Sequence, residues 1–305
     1  MTLQLASKQP PKQVTTLDDN FATINRLCDQ LAEEHGIVIL MANEAGSRAW
    51  GYSRDGSDSD ILFVYLQKPW AVKIEAGFKD SIHQTFKEYN VSFRGYELRA
   101  YYRHISQSKL YVHETFFNGC GHSYIQHPCK YELDEIARRY YNRDPIFSAA
   151  AGHHQKVYGR GFDQFVGTSS STATKRIIAC IRYALMAFSA KVFPTAEYEI
   201  TRLFNSVNSD VWPVAFNAVG WDEEHVWSYI NDREKIIDQR LVDMLYKIHS
   251  MLAVVFYDHN DSRREQTAER MADLNESYTK TTYQLYLELG RDMLRDQGYD
   301  VNRVR

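Results

Sequence analysis

Apolar positions first recur along the chain at helical spacing. Phe21, Ile24, Leu27, Cys28 and Leu31 follow one another every three or four residues. Thr15 or Thr16 offers a cap, Asp18 and Asp19 stand in the first turn, and Gly36 supplies a stop. This predicts an amphipathic helix leading directly into Ile37-Val38-Ile39-Leu40-Met41, an apolar run of strand length. A second such run, Ile61 to Leu66, ends before Pro69. Residues 70–83 read as a short helix or loop. Residues 84–93 alternate, with Phe86, Tyr89, Val91 and Phe93 of strand propensity, and predict a third strand beside the second. From Gly95 onward the periodicity is helical: 96–107, 109–118, Glu132 to Tyr141, 148–166, about 173–192, 195–208, 222–259 with breaks, and 263–296. The fold expected is α+β, with a polar tail over 1–16. A small mixed β-sheet domain with flanking helices follows over 17–145, and an all-helical C-terminal domain over 146–305.

Composition narrows the class. A chain of 305 residues, 44% hydrophobic and 25% charged, has the makeup of a globular protein of about two domains. Its net charge of −3 carries no overall basicity, so any nucleic-acid surface must be local. Four cysteines do not make a disulfide scaffold at this length, which points to a reducing, cytoplasmic setting. No apolar run reaches membrane-spanning length, and the N-terminal residues lack a signal-like apolar region, so no membrane partner is expected.

The candidate chemistry lies between the first two strands. Gly46-Ser47-Arg48-Ala49-Trp50-Gly51 leads through Ser57-Asp58-Ser59-Asp60 into the second apolar run. Backbone N–H groups of a Gly-Ser turn that opens a helix can bind phosphate oxygens. Asp58 and Asp60 are two apart, so on a strand both carboxylates leave from one face and can share a hard cation. Mg²⁺ is commonly held by one or two carboxylates together with substrate phosphates.

Gly-Ser, ten residues, then Asp-x-Asp resembles the core motif of the DNA polymerase β-like nucleotidyltransferase superfamily. With Arg48, Gly51 and Ser57-Asp58-Ser59-Asp60, the string is most similar to the predicted nucleotidyltransferases associated with RNA repair. The resemblance covers roughly residues 37–190 and includes Gly95-Tyr96-Glu97-Leu98-Arg99 and the helix carrying Lys175-Arg176 and Arg182. It implies transfer of a nucleoside monophosphate from an NTP to a hydroxyl acceptor, with pyrophosphate released and Mg²⁺ (or Mn²⁺) as cofactor. Asp58 and Asp60 are then the catalytic metal ligands, and Gly46 and Ser47 hold the nucleotide phosphates. Arg48, Lys175 and Arg182 are further phosphate-binding candidates, Lys175 and Arg182 lying two turns apart and so near one helix face. An RNA end, a protein hydroxyl or a small molecule would each serve as acceptor.

The family's third carboxylate falls here on Ser92, a neutral hydroxyl. Glu88 is four residues away, about 13 Å along an extended strand, and Glu97 suits a helix start. This motivates an alternative, a catalytically weakened nucleotide- or RNA-binding protein of the same fold. Another is an inhibitory interaction protein acting through its C-terminal helices.

Other clusters read as structural. Cys120, His122, His127 and Cys129 could satisfy a tetrahedral Zn²⁺, but Cys-x-His-x4-His-x-Cys closes too cramped a loop, and a polar loop with partly buried cysteines is expected. His153 and His154 point about 100° apart on a helix and read as partnered with nothing in particular. Tyrosines interleaved with cations over 96–113 and 140–160 suit single-strand stacking or plain helix packing.

Overall fold

Ile37–Ala45 (β1) and Ser59–Gln67 (β2) pair antiparallel, from Ile37 opposite Gln67 to Ala45 opposite Asp60, with a bulge between Ile39 and Met41. Both are buried along most of their length, as strands covered on two faces must be. The computed structural model describes residues 17–54, 56–68, 79–117, 122–192, 198–207, 216–217, 220–257, 276, 279–288, 291–292 and 295. Ser81–Phe86 (β3), Val91–Glu97 (β4) and Ser123–Gln126 (β5) complete a mixed five-stranded sheet of order β3-β4-β2-β1-β5. β4 runs parallel to β2, and the other neighbouring strands are antiparallel.

The stretch expected as one strand over 84–93 is a hairpin. A 3₁₀ turn over Lys87–Tyr89 and Asn90 in the left-handed region (φ 55°) reverse the chain. Phe86 and Val91, five positions apart within the one strand expected, are cross-strand partners. The strand beside β2 is therefore β4 alone, and Glu88 stands exposed in the turn, off the strand altogether.

Each sheet face has its own core. Leu17–His35 (α1) lays Ile24, Leu27, Cys28 and Leu31, all fully buried, against Ile37, Ile39, Phe63 and Phe93. On the other face Leu98–Ser106 (α3) and Lys130–Arg139 (α5) pack on Leu40, Met41, Val64 and Leu66. Gly46–Ala49 (α2) is a single turn after β1, and Leu110–Phe117 (α4) follows α3. Residues 279–288, expected within the C-terminal helical domain, are helical and return to the α3 face. Leu285 joins that cluster, and the Tyr102 hydroxyl lies 3.1 Å from Thr281 Oγ1.

A third core is mainly helical and takes in Tyr52 from the loop after α2. Arg143–Tyr158 (α6), Ser171–Val192 (α7), Ile200–Val207 (α8), Glu223–Asn231 (α9) and Gln239–Tyr257 (α10) contribute to it, with α7 buried along much of its length. α6 starts five residues before the 148–166 helix expected and stops at Tyr158, ahead of Gly159. Asn142 caps it, its Oδ1 accepting from Asp144 N–H at 3.1 Å, and Pro145 falls in the first turn, where a missing N–H costs nothing.

Gly95 on β4 faces Phe63 on β2. A Cβ at Gly95 would stand 2.1 to 2.6 Å from three atoms of the Phe63 ring, so the ring occupies the space a side chain would need. Gly95→Ala should cost about 1–3 kcal/mol. It should appear as a lower urea midpoint at unchanged slope, with part of the loss recovered by adding Phe63→Leu. An unmoved midpoint would show that the ring turns aside freely.

Candidate active site

The motif turn is built on one close contact. β1 ends at Ala45, and Gly46 leaves it at φ +66° into the single turn of α2. A Cβ at Gly46 would lie 2.2 Å from Asp60 Oδ2, so the Asp60 carboxylate rests on the bare Cα. Any other residue here would both strain the backbone and displace the acid. The Gly and the second Asp of the motif, fourteen positions apart in sequence, are thus packed on each other.

The loop between them is fastened at both ends. Arg48 Nη2 donates to Ser57 O at 3.1 Å, its Nε lies 3.8 Å from Glu44 Oε1, and Arg54 N–H donates to Ser57 Oγ at 2.9 Å. The helical region holds it from outside. Ile200 N–H donates to Trp50 O at 3.0 Å, and Arg233 Nη2 to Tyr52 O at 2.7 Å. Arg54 reaches back, donating to Ile230 O from Nε (3.0 Å) and Nη2 (2.8 Å).

Across the sheet, Ala45, Asp60, Ser92 and Thr85 are successive cross-strand partners, so their side chains share one face. The next row on that face holds Leu62, Arg94 and His83. A cleft of about 440 Å³ opens over these rows, lined among others by Gly46, Trp50, Asp60, Ser92, Arg94 and Glu114. Ser92 Oγ lies 3.1 Å from Thr85 Oγ1. Asp58 stands exposed just before β2, while Asp60 is half-buried on it. The Asp60 carboxyl is held above the usual carboxylate range, first by burial and then by the charge of Asp58, with Arg94 acting in the opposite sense. Two neighbouring carboxylates, one of them poorly solvated, are a donor set that fits a hard divalent cation.

The sequence candidates do not all meet. Gly46 and Asp60 line the cleft, with Asp58 near enough for its charge to act on Asp60. Ser47 is half-buried in α2, its carbonyl accepting from Tyr52 N–H at 3.0 Å. Arg48 is tied to the turn itself through Ser57 and Glu44. Lys175 and Arg182 share a helix side but not an environment. Lys175 is exposed, whereas α7 carries Arg182 into the core, where its side chain is 1% accessible. There Arg182 pairs with Glu114 at 2.6 Å, donates to Tyr198 O at 2.9 and 3.1 Å, and lies 4.2 Å from the Trp50 ring centre. It braces the cleft wall from behind, and neither it nor Lys175 is among the residues lining the cleft. Glu97 caps α3, accepting from Arg99 N–H at 2.6 Å. Arg94 escaped the sequence reading, although its signal was simple: two positions after Ser92 on a strand, it must share that face.

The remaining clusters are structural. Cys120 lies outside the described residues; His127 Nδ1 sits 3.2 Å from Cys129 Sγ, while the backbone N–H of His122 donates to Glu44 at 3.3 Å. Among the described residues no group of three or more His, Cys, Asp or Glu is placed to hold a metal ion. His154 does have partners, against expectation. It is buried, with Nδ1 2.9 Å from Cys180 O and Nε2 3.0 Å from His249 Nδ1, and burial lowers its pKa to about 4. His153 stacks on Tyr183 with ring centres 5.0 Å apart.

The mixed five-stranded sheet with its flanking helices carries the Gly-Ser turn at the end of β1, beside Asp60. The chain belongs to the RNA repair pathway DNA polymerase beta family (RlaP), whose model matches residues 22–189. It is 36% identical over 78 residues to the uncharacterized protein YcgL of Bacillus subtilis (strain 168), a match covering 24% of this chain and 29% of that relative's length. A solved nucleotidyltransferase-like protein from Exiguobacterium sibiricum 255-15 aligns over 90% of this chain and 92% of its own, at 12% identity and a TM-score of 0.27. Among the described residues no helix is long and apolar enough to cross a membrane.

Because its folded pKa is raised, ionised Asp60 costs the metal-free protein stability. That cost is absent below the unfolded-state value of about 3.9 and grows as pH rises through the folded value. Asp60→Asn should therefore melt above the parent at neutral pH, with the gain fading as the pH approaches about 4. Thermal melts in chelator-treated buffer across that range check this; an Asp60→Asn protein melting below the parent at neutral pH would contradict it.

Proposed function

We propose that the chain transfers a nucleoside monophosphate from an NTP to a hydroxyl acceptor, with Asp58 and Asp60 holding Mg²⁺ or Mn²⁺ at the cleft. The observation that carries this reading is the packing of Gly46 on the Asp60 carboxylate, which supports pairing the Gly-Ser turn, read as the phosphate site, with Asp60, read as a metal ligand. Family membership supports it, and the family's description makes an RNA end the acceptor class to try first.

In the reaction, the acceptor hydroxyl oxygen forms a bond to the α-phosphorus as the bond from that phosphorus to the β-phosphate bridge breaks. The hydroxyl proton passes to water and pyrophosphate leaves. A bound divalent cation would supply charge neutralisation on the phosphate oxygens. The chain's own part is positioning. Gly46 and the first N–H groups of α2 meet the phosphates, and Trp50 and Glu114, braced by Arg182, line the cleft with them. Cys28, Cys129 and Cys180 are free thiols, which suits a reducing, cytoplasmic setting.

A second reading is favoured by Ser92, which faces Asp60 where a further carboxylate would help activate the hydroxyl. The cleft would then bind NTP and Mg²⁺ with little turnover.

Pyrophosphate release from each of the four NTPs, with Mg²⁺ or Mn²⁺ and with or without RNA, tests the first reading. Release is expected from the parent, and Asp58→Asn/Asp60→Asn should lower it by at least about 100-fold. Calorimetric nucleotide binding with no release from the parent would select the second reading.

A further inference from the structure

The second row of the cleft face carries a cation that the Gly-Ser…Asp-x-Asp motif does not explain. Arg94 is exposed, lines the cleft, and makes no side-chain hydrogen bond or ion pair among the described residues. Its cross-strand partners are Leu62 and His83, one row beyond Asp60 and Ser92, and its charge acts on the Asp60 carboxylate. An arginine fork left free beside a cleft is suited to phosphate oxygens, which it grips in two-point fashion.

The carboxylates around the cleft decide how many metal ions it can hold. Glu44 and Glu114 line it but are already engaged. Glu44 accepts from His122 N–H at 3.3 Å and from the Tyr124 hydroxyl at 3.5 Å, and lies 3.8 Å from Arg48. Glu114 is paired with buried Arg182 at 2.6 Å. Asp58 and Asp60 are left, enough for one hard cation whose shell is completed by phosphate oxygens. A second cation beside it would need another anionic oxygen on β4. The residue there is Ser92, a neutral hydroxyl turned to Thr85 at 3.1 Å, with the Arg94 guanidinium two positions on to repel a metal.

We propose that the cleft takes a nucleoside triphosphate with a single divalent cation at Asp58 and Asp60, and that Arg94 supplies the second positive charge on its phosphates. This rests on the nucleotide-binding reading above. Arg94 thereby becomes the phosphate-binding cation of the cleft, in place of Arg48, Lys175 and Arg182.

The test is binding, not turnover. The probes are the α,β-methylene analogues of the four NTPs, with Mn²⁺ counted per chain by electron paramagnetic resonance and affinity measured by calorimetry. One bound Mn²⁺ is expected in the parent and two in Ser92→Asp. Arg94→Ala should weaken analogue binding about 10- to 100-fold, with the Mn²⁺ count unchanged and, the side chain being exposed, the melting temperature unmoved. Arg94→Lys should recover part of the affinity. Two Mn²⁺ in the parent, one in Ser92→Asp, or full affinity in Arg94→Ala overturns the proposal. If binding still depends on Asp58 and Asp60 in those cases, the nucleotide reading survives without it. Absence of binding by any analogue to the parent would sink both together.

Discussion

The Asp60 carboxylate occupies the space that a side chain at position 46 would fill, and much of the molecule serves to keep it there. β1 must end at Ala45 in register with Asp60, which requires the bulge after Ile39 to absorb one residue without turning the apolar positions outward. β4 must run parallel to β2, so that Ser92 and Arg94 arrive on the same face, and the β3–β4 hairpin makes that crossover. The loop from Trp50 to Ser57 must return the chain, and it is pinned by bonds to Arg48, Ile200, Ile230 and Arg233.

Arg182 shows how the helical region and the cleft are coupled. A guanidinium removed from water loses several kcal/mol of solvation, which an excellent set of partners only offsets. Glu114, the Tyr198 carbonyl and the Trp50 ring take up part of that loss, while Nη1 is buried without a hydrogen-bond partner among the described residues. The arrangement adds little net stability, since an apolar replacement of similar shape could match it. What it does is fix geometry: Trp50 and Glu114 both line the cleft and are held by one rigid fork.

Much of this was legible in the chain. The helical spacing of Ile24, Leu27, Cys28 and Leu31 marked α1, because burial against a sheet leaves a stripe of that period. Gly46 and Asp60 were found through their spacing, yet their mutual contact is tertiary and no periodicity reports it. The hairpin at Asn90 was missed because Tyr89, Val91 and Phe93 alternate as one strand would, although Phe86, five positions before Val91, falls out of that alternation. Arg182 was misjudged for a physical reason. A seven-residue spacing gives an angle around the helix axis but not what covers each position: the side open at Lys175 is closed at Arg182 by Glu114, Tyr198 and Trp50. His154 likewise found its partner, His249, on a helix 95 positions away.

The return of residues 279–288 to the sheet bears on how the molecule is made. Leu285 is 4% accessible in the cluster under α3, and the Tyr286 hydroxyl donates to Gln67 O at 3.4 Å on a central strand. A ribosome releasing this chain from its first residue exposes β1, β2 and α3 long before Leu285 emerges. The α1 face draws all its members from residues up to Ile125, whereas the α3 face also includes Leu285 and Tyr286. The nascent protein therefore passes through a state in which α3 and α5 already cover this face but its last contacts, from Leu285 and Tyr286, wait for the end of synthesis.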